Sequence, residues 1–193
     1  MSENQDFARL VSLACHDLRT PLATVFGFAR TLSRGGELGE PAARYIGMIE
    51  AASQQMGALL DDLGLVARIE SGRYEPVALA RDTLELAHAA AARAGDPVGA
   101  AGEGTQVEVD AEPVERSLAA LALAAQRHGA VERVAIHVDG RRFRVSPVTA
   151  AAAPVVLAHE LKDMGAAVAL RVLGALQVDV ALEGETLSVE LPA

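Results

Sequence analysis

The residues best suited to chemistry stand together near the start of the sequence, in His16-Asp17-Leu18-Arg19-Thr20-Pro21-Leu22. A neutral imidazole is a capable nucleophile at cellular pH. Asp17 follows it directly and is placed to accept a proton or to orient the ring. Thr20 lies four residues on, one helical turn away on the same face. Its hydroxyl there is able to position a water. Pro21 withdraws a backbone N–H and is expected to bend a helix at this point. The other reactive side chains are less well placed. Ser12 and Ser33 have no base partner, and His88, His128, His137 and His159 show no metal-ligand spacing. Cys15, the single cysteine, is read as a residue packed at a helix interface rather than as a reactive thiol.

Two long helices must carry these residues. In the first, apolar positions run Phe7, Val11, Ala14, Leu18, Leu22, Val25, Ala29, Leu32, in alternating steps of four and three with a double four around Leu18 and Leu22. His16 is two positions from both Ala14 and Leu18, roughly 200° around the helix from each, so it is expected to face solvent. Arg34-Gly35-Gly36 ends this helix, and Pro41 suits the first turn of the next. The second helix shows a heptad, Ile46, Ile49, Ser53, Met56, Leu60, Leu63, Ala67, and stops at Ser71-Gly72. Two antiparallel helices of about 30 residues with narrow apolar stripes predict a homodimeric four-helix bundle.

Beyond residue 75 the pattern changes. Residues 77–93 read as an Ala- and Leu-rich helix, 94–104 as a loop, 105–109 as a strand and 111–128 as a helix. Alternation around Asp139-Gly140 and around Glu183-Gly184-Glu185 marks two hairpins, and one or two helices fall within 155–176 between them. The expected class is α+β: a helical hairpin over residues 1–75, then an α/β sandwich over 76–193. The formal net charge of −9, with Lys162 the only lysine, argues against nucleic acid and against an anionic membrane surface. The N-terminal residues are polar and acidic, unlike a secretory signal, and no apolar run reaches the ~20 residues of a membrane helix. One cysteine excludes an internal disulfide framework, so a reducing cytoplasm is the expected setting.

The stretch His16 to Leu22 resembles the phosphoacceptor box of sensor histidine kinases, and the likeness extends through both helices to Ile69-Glu70-Ser71-Gly72. The resemblance implies that His16 carries a phosphoryl group. Asp17 would assist its attack, and Thr20 would serve reverse phosphatase chemistry. Residues 77–193 follow the element order of the family's ATP-binding domain, and Thr186 to Pro192 resembles its last strand. Its chemistry-bearing boxes are degraded. Ala120 and Ala124 stand where the family carries asparagines, one of which reaches Mg2+, and Pro147 stands near its adenine-binding aspartate. Of its glycine-rich loop only Gly165 survives, and neither G-x-x-x-x-G-K-[ST] nor G-x-G-x-x-G appears elsewhere.

An intact phosphoacceptor box beside a degraded ATP domain implies a histidine phosphotransfer protein of a bacterial two-component phosphorelay. It would be related to dimeric histidine phosphotransferases that keep the ATP domain as scaffold. No bound cofactor is expected, with Mg2+ supplied on the partner. The expected partners are response-regulator receiver domains, docking near Leu13, Arg19 and Phe26, and also a histidine kinase. Two rivals stand beside this reading: an autokinase with an atypical nucleotide site, and a non-enzymatic module that sequesters regulators or kinases.

Overall fold

The computed structural model describes residues 3–35 and 39–192, with side chains from Ala8 onward except Arg9 and Leu10. It divides into two compact units, one ending at Tyr74 and the other beginning at Glu75. The first unit is a hairpin of two helices, α1 (Glu3–Arg34) and α2 (Glu40–Glu70). α1 runs unbroken through Pro21. Gly39 caps α2 with extended backbone, and Pro41 fits its first turn because that position needs no N–H donor.

The buried seam of the hairpin differs from the expected stripe. Ala8, Cys15 and Ala29 of α1 are buried, with Val11, Leu22 and Phe26 half-buried. On α2 the buried residues are Ile46, Ser53, Leu65 and Ala67. Ala14, Leu18, Val25 and Leu32, expected inside, are exposed on this single hairpin, as are Ile49 and Met56 of the predicted heptad. The physical reason is that α1 carries apolar residues over a wider arc than one partner helix covers. The Phe7 side chain lies outside the described residues.

The second unit packs helices on one face of a five-stranded sheet. Its elements are β1 (Leu79–Asp82), α3 (Thr83–Ala94), β2 (Val98–Glu103), β3 (Gln106–Val109), α4 (Ala111–Gly129), β4 (Val134–Asp139) and β5 (Arg142–Ser146). They are followed by the single turn α5 (Ala153–Val156), α6 (Met164–Ala175), β6 (Asp179–Glu183) and β7 (Thr186–Glu190). The sheet order is β2-β4-β5-β7-β6, with β2 and β4 parallel and the other neighbours antiparallel. β1 and β3 form a separate antiparallel pair.

Alternation places Val134, Ile136 and Val138 of β4, Phe143 and Val145 of β5, and Leu187 and Val189 of β7 in the core. Leu86 of α3, Leu118 and Leu121 of α4 and Leu173 of α6 meet them there. Both expected hairpins form, with Gly140 at φ 59° and Gly184 at φ 60° supplying their left-handed turn positions.

Two expectations fail in this unit. Residues 77–93 are not one helix. Asp82 ends β1 and caps α3, its Oδ1 accepting from the N–H groups of Leu84 (2.8 Å) and Glu85 (3.3 Å). Residues 94–104 are not a loop, since 98–103 form the edge strand β2. Its glycines and alanines carry little strand propensity, and pairing with β4 decides its conformation. Gly102 sits at φ 131° against the backbone of Val138, where any Cβ would clash. Thr83 secures the same corner: its buried hydroxyl donates to the Gly140 carbonyl (2.6 Å) and accepts from the Thr105 N–H (2.9 Å).

Candidate functional site

α1 presents His16 on its outer face, 77% exposed, with Asp17 68% exposed beside it. His16 Nδ1 and Asp17 Oδ1 are 3.1 Å apart. A carboxylate only accepts, so this contact requires the proton on Nδ1 and leaves the lone pair on Nε2. Cys15, the preceding residue, is buried in the helix seam. One turn beyond His16, Arg19 Nη2 donates to Asp61 Oδ1 of α2 at 2.6 Å. The turn that carries His16 is thus braced by burial at one residue and by an ion pair at another.

Thr20 is exposed, and its carbonyl accepts from the Thr24 hydroxyl (3.1 Å). Pro21 has no N–H, so the carbonyl of Asp17 lacks its usual helical donor at the residue beside His16. Of the residues expected to meet a partner, Leu13 is 58% exposed. Arg19 is engaged with Asp61. Phe26 is half-buried, with the Arg30 guanidinium 5.9 Å from its ring centroid. Asp61 is a residue the sequence offers no local sign of, because it stands 42 positions from Arg19.

In the second unit, Ala120 is half-buried and Ala124 fully buried on α4. Neither side chain has an oxygen or nitrogen to offer a metal, and the Pro147 side chain has no acceptor for an adenine amino group. α6 lies directly on this part of α4. A Cβ added at Gly165 would stand 3.4 Å from the Ala120 Cβ and 3.3 Å from Asp163 Oδ1. An open depression of about 700 Å3 lies elsewhere, lined by residues that include Pro97, Arg133 and Pro147, and no residue of α4 or α6 reaches it.

Asp163 is the polar residue that the sequence reading passed over. Its side chain is 5% exposed. One oxygen caps α6 through the Ala166 N–H (3.1 Å). The other receives Arg127 Nη2 (3.1 Å) and His128 Nε2 (3.2 Å) from the end of α4. An aspartate two residues before Gly165 is an N-cap signal that could have found it.

The arginines of β5 are paired with carboxylates: Arg142 with Glu190 (2.6 Å) and Arg144 with Asp139 (3.1 Å). The hydrogen bond and charge of Glu190 raise the Arg142 pKa further. Lys162 likewise holds the Glu160 carboxyl below the usual carboxylate range. Among the described residues no group of three His, Cys, Asp or Glu is arranged to hold a metal ion.

Residues 8–72 match the family of the His Kinase A (phospho-acceptor) domain. The chain is 34% identical over 88 residues to the probable sensor histidine kinase TcrY of Mycobacterium tuberculosis, a match covering 42% of this chain and 18% of that protein. It is 32% identical over 68 residues to the sensor protein DivL of Caulobacter vibrioides, covering 35% and 8%. The matches therefore span less than a fifth of either relative's length.

Among solved structures, full-length ShkA in complex with AMPPNP superposes with a TM-score of 0.66 at 20% identity, over 94% of this chain and 44% of that one. The Acinetobacter baumannii histidine kinase AdeS gives 0.55 at 17% identity, over 92% and 98%. These likenesses show the fold: a helical hairpin followed by an α/β sheet domain that resembles the ATP-binding domain of histidine kinases. Among the described residues no helix is long and apolar enough to cross a membrane.

Proposed function

We propose that the chain is a cytoplasmic phosphotransfer protein that carries a phosphoryl group on His16 between response-regulator aspartates without using ATP. The observation that carries this reading is the exposed His16–Asp17 pair, set in a chain whose Ala120, Ala124 and Pro147 supply nothing to a nucleotide or its metal. In the forward step the Nε2 lone pair attacks phosphorus. The P–O bond of the receiver's acyl phosphate breaks, and the carboxylate leaves with its electron pair. The new N–P bond makes the ring cationic, and Asp17 balances that charge through the proton it holds on Nδ1. The reverse step returns the phosphoryl group to a second carboxylate. The receiver supplies the Mg2+. Leu13 and the face around it form the docking surface, and Thr20 positions water for hydrolysis of a phosphorylated partner.

The same reading makes the protein a homodimer. Leu18, Val25, Phe28, Tyr45, Met48 and Met56 are large apolar side chains left exposed by one hairpin. A second hairpin packed on them would bury them at about 1.5–3 kcal/mol each.

A sensor-type autokinase is the second reading, and the fold favours it, because ShkA superposes along nearly the whole chain and is a complex with AMPPNP. Parallel labelling separates the two. The protein is incubated with radiolabelled ATP–Mg2+, and separately with receiver domains loaded from radiolabelled acetyl phosphate. Acid-labile label on wild type from the receivers alone, absent in His16→Gln, is the expected outcome. Label from ATP–Mg2+ alone would replace this reading with the autokinase.

A further inference from the structure

β2 leaves one side of its backbone unpaired, because the sheet order begins with it. The Pro97 and Glu103 carbonyls accept from the Val134 and Gly140 N–H groups on the β4 side. Alternation then turns the backbone groups of Val98 and Ala100 toward the free edge. The Val98 N–H donates to the Gly95 carbonyl (3.0 Å), which leaves the Val98 carbonyl and both groups of Ala100. The open depression of about 700 Å3 lies along this edge, where Val98, Gly99 and Ala100 line it together with Ala91 and Ala92 of α3.

Sheet edges are ordinarily guarded against pairing with a second copy, and the opposite edge, β6, is guarded. Paired antiparallel with itself about Ala181, it would set the exposed Asp179 against Glu183 of the second copy. β2 is instead self-complementary. Paired in the same way about Ala100, it sets Glu103 opposite Pro97 of the second copy. Arg133 is next in that row, because Val98 is in register with Val134 and each is preceded by one of these residues. Val98 and Val134 point into the core, so Glu103 and Arg133 both lie on the open face of the sheet. Both are exposed, and among the described residues neither forms an ion pair. Within its own sheet Glu103 lies beside Asp139, a like charge. Glu103 and Arg133 of the second copy stand two strand spacings apart, roughly 10 Å between Cα atoms, a gap that their two long side chains span.

We infer that the free edge of β2 is a self-recognition surface that takes β2 of a second copy, antiparallel about Ala100, and joins two five-stranded sheets into one. Ala100 exchanges both backbone hydrogen bonds with Ala100 of the second copy, and a Glu103–Arg133 ion pair closes each end. The inference stands apart from the phosphotransfer reading.

Residue-resolved amide exchange on the full chain, by NMR at submillimolar concentration, tests it whether the two edges belong to one hairpin dimer or to two. The Ala100 amide is expected to be protected, and Glu103→Arg and Arg133→Glu are each expected to speed its exchange on the order of ten-fold. Combining the two reversals restores opposite charges across the pair and is expected to return the protection. The Gly99 amide, which alternation points toward β4, is expected to stay protected throughout and so reports that the sheet is folded. Free exchange of Ala100 in wild type, single reversals that leave its protection unchanged, or a combined reversal no better than the single ones overturns the inference. Protection that appears only on adding a receiver domain also overturns it, because the edge then takes a strand of another protein. Receiver labelling of His16 decides the phosphotransfer reading separately.

Discussion

At the scale of single residues, the chemistry depends on which nitrogen of His16 keeps its proton. Asp17 fixes that choice with one exposed hydrogen bond of 3.1 Å, an interaction worth about 1 kcal/mol or less in open water. In the proposed transfer its larger effect falls in the transition state, when the ring gains charge. Asp17→Asn offers an acceptor without the charge, so receiver-dependent labelling of His16 is expected to slow by about 10- to 100-fold, with receiver binding measured by calorimetry unchanged. Loss of binding in place of rate would move Asp17 from the chemistry to the docking surface. Thr20→Ala is expected to leave labelling of His16 within about two-fold, because the hydrogen bond of His16 is made by Asp17, and to slow hydrolysis of phosphorylated receiver by about ten-fold or more. The box around His16 is legible in the sequence because its parts lie within one another's helical reach. Arg19–Asp61 and Asp163–His128 are not, because each joins side chains that only the tertiary fold brings together.

At the scale of elements, hydrophobic pattern and turn chemistry located the two long helices, α4 and both hairpins. They missed β1 and β2 for a definite reason. The Val98–Glu103 strand is Val-Gly-Ala-Ala-Gly-Glu, a run whose side chains carry almost no strand preference. What holds it is parallel pairing to β4 and a close approach possible only at glycine. Gly102→Ala is therefore expected to destabilise the second unit by about 2 kcal/mol or more, since the added Cβ meets the Val138 backbone at a positive φ. Gly99→Ala, where nothing lies within 4 Å, is expected to stay within about 0.5 kcal/mol. Urea unfolding followed by circular dichroism, with amide exchange to assign the transition, distinguishes them. Equal effects would mean that β2 is not held by this contact. The same limit explains the hairpin seam. Spacing showed that α1 is amphipathic, but it could not say which of its apolar residues face α2 and which face away, because the apolar arc is wider than one partner.

At the scale of the whole molecule, that surplus apolar arc predicts assembly. Phe28, 68% exposed, and Leu32 are both left in solvent on the last third of α1, well beyond the His16 turn. A 20.0 kDa chain that covers these residues with a second copy should scatter light as a particle of about twice that mass at micromolar concentration. Phe28→Glu with Leu32→Glu places charge where an apolar partner surface would have to meet it, and is expected to return the scattering mass to that of one chain. Labelling then tells what the dimer is for. His16, Asp17 and the Arg19–Asp61 brace all belong to a single hairpin. If that hairpin is sufficient, the charged double variant should accept phosphoryl groups from a receiver within about ten-fold of wild type, while His16→Gln accepts none. Loss of labelling as complete as in His16→Gln, with circular dichroism still showing folded helices, would mean that the receiver docks across two chains and that the acceptor site is completed only by the partner hairpin.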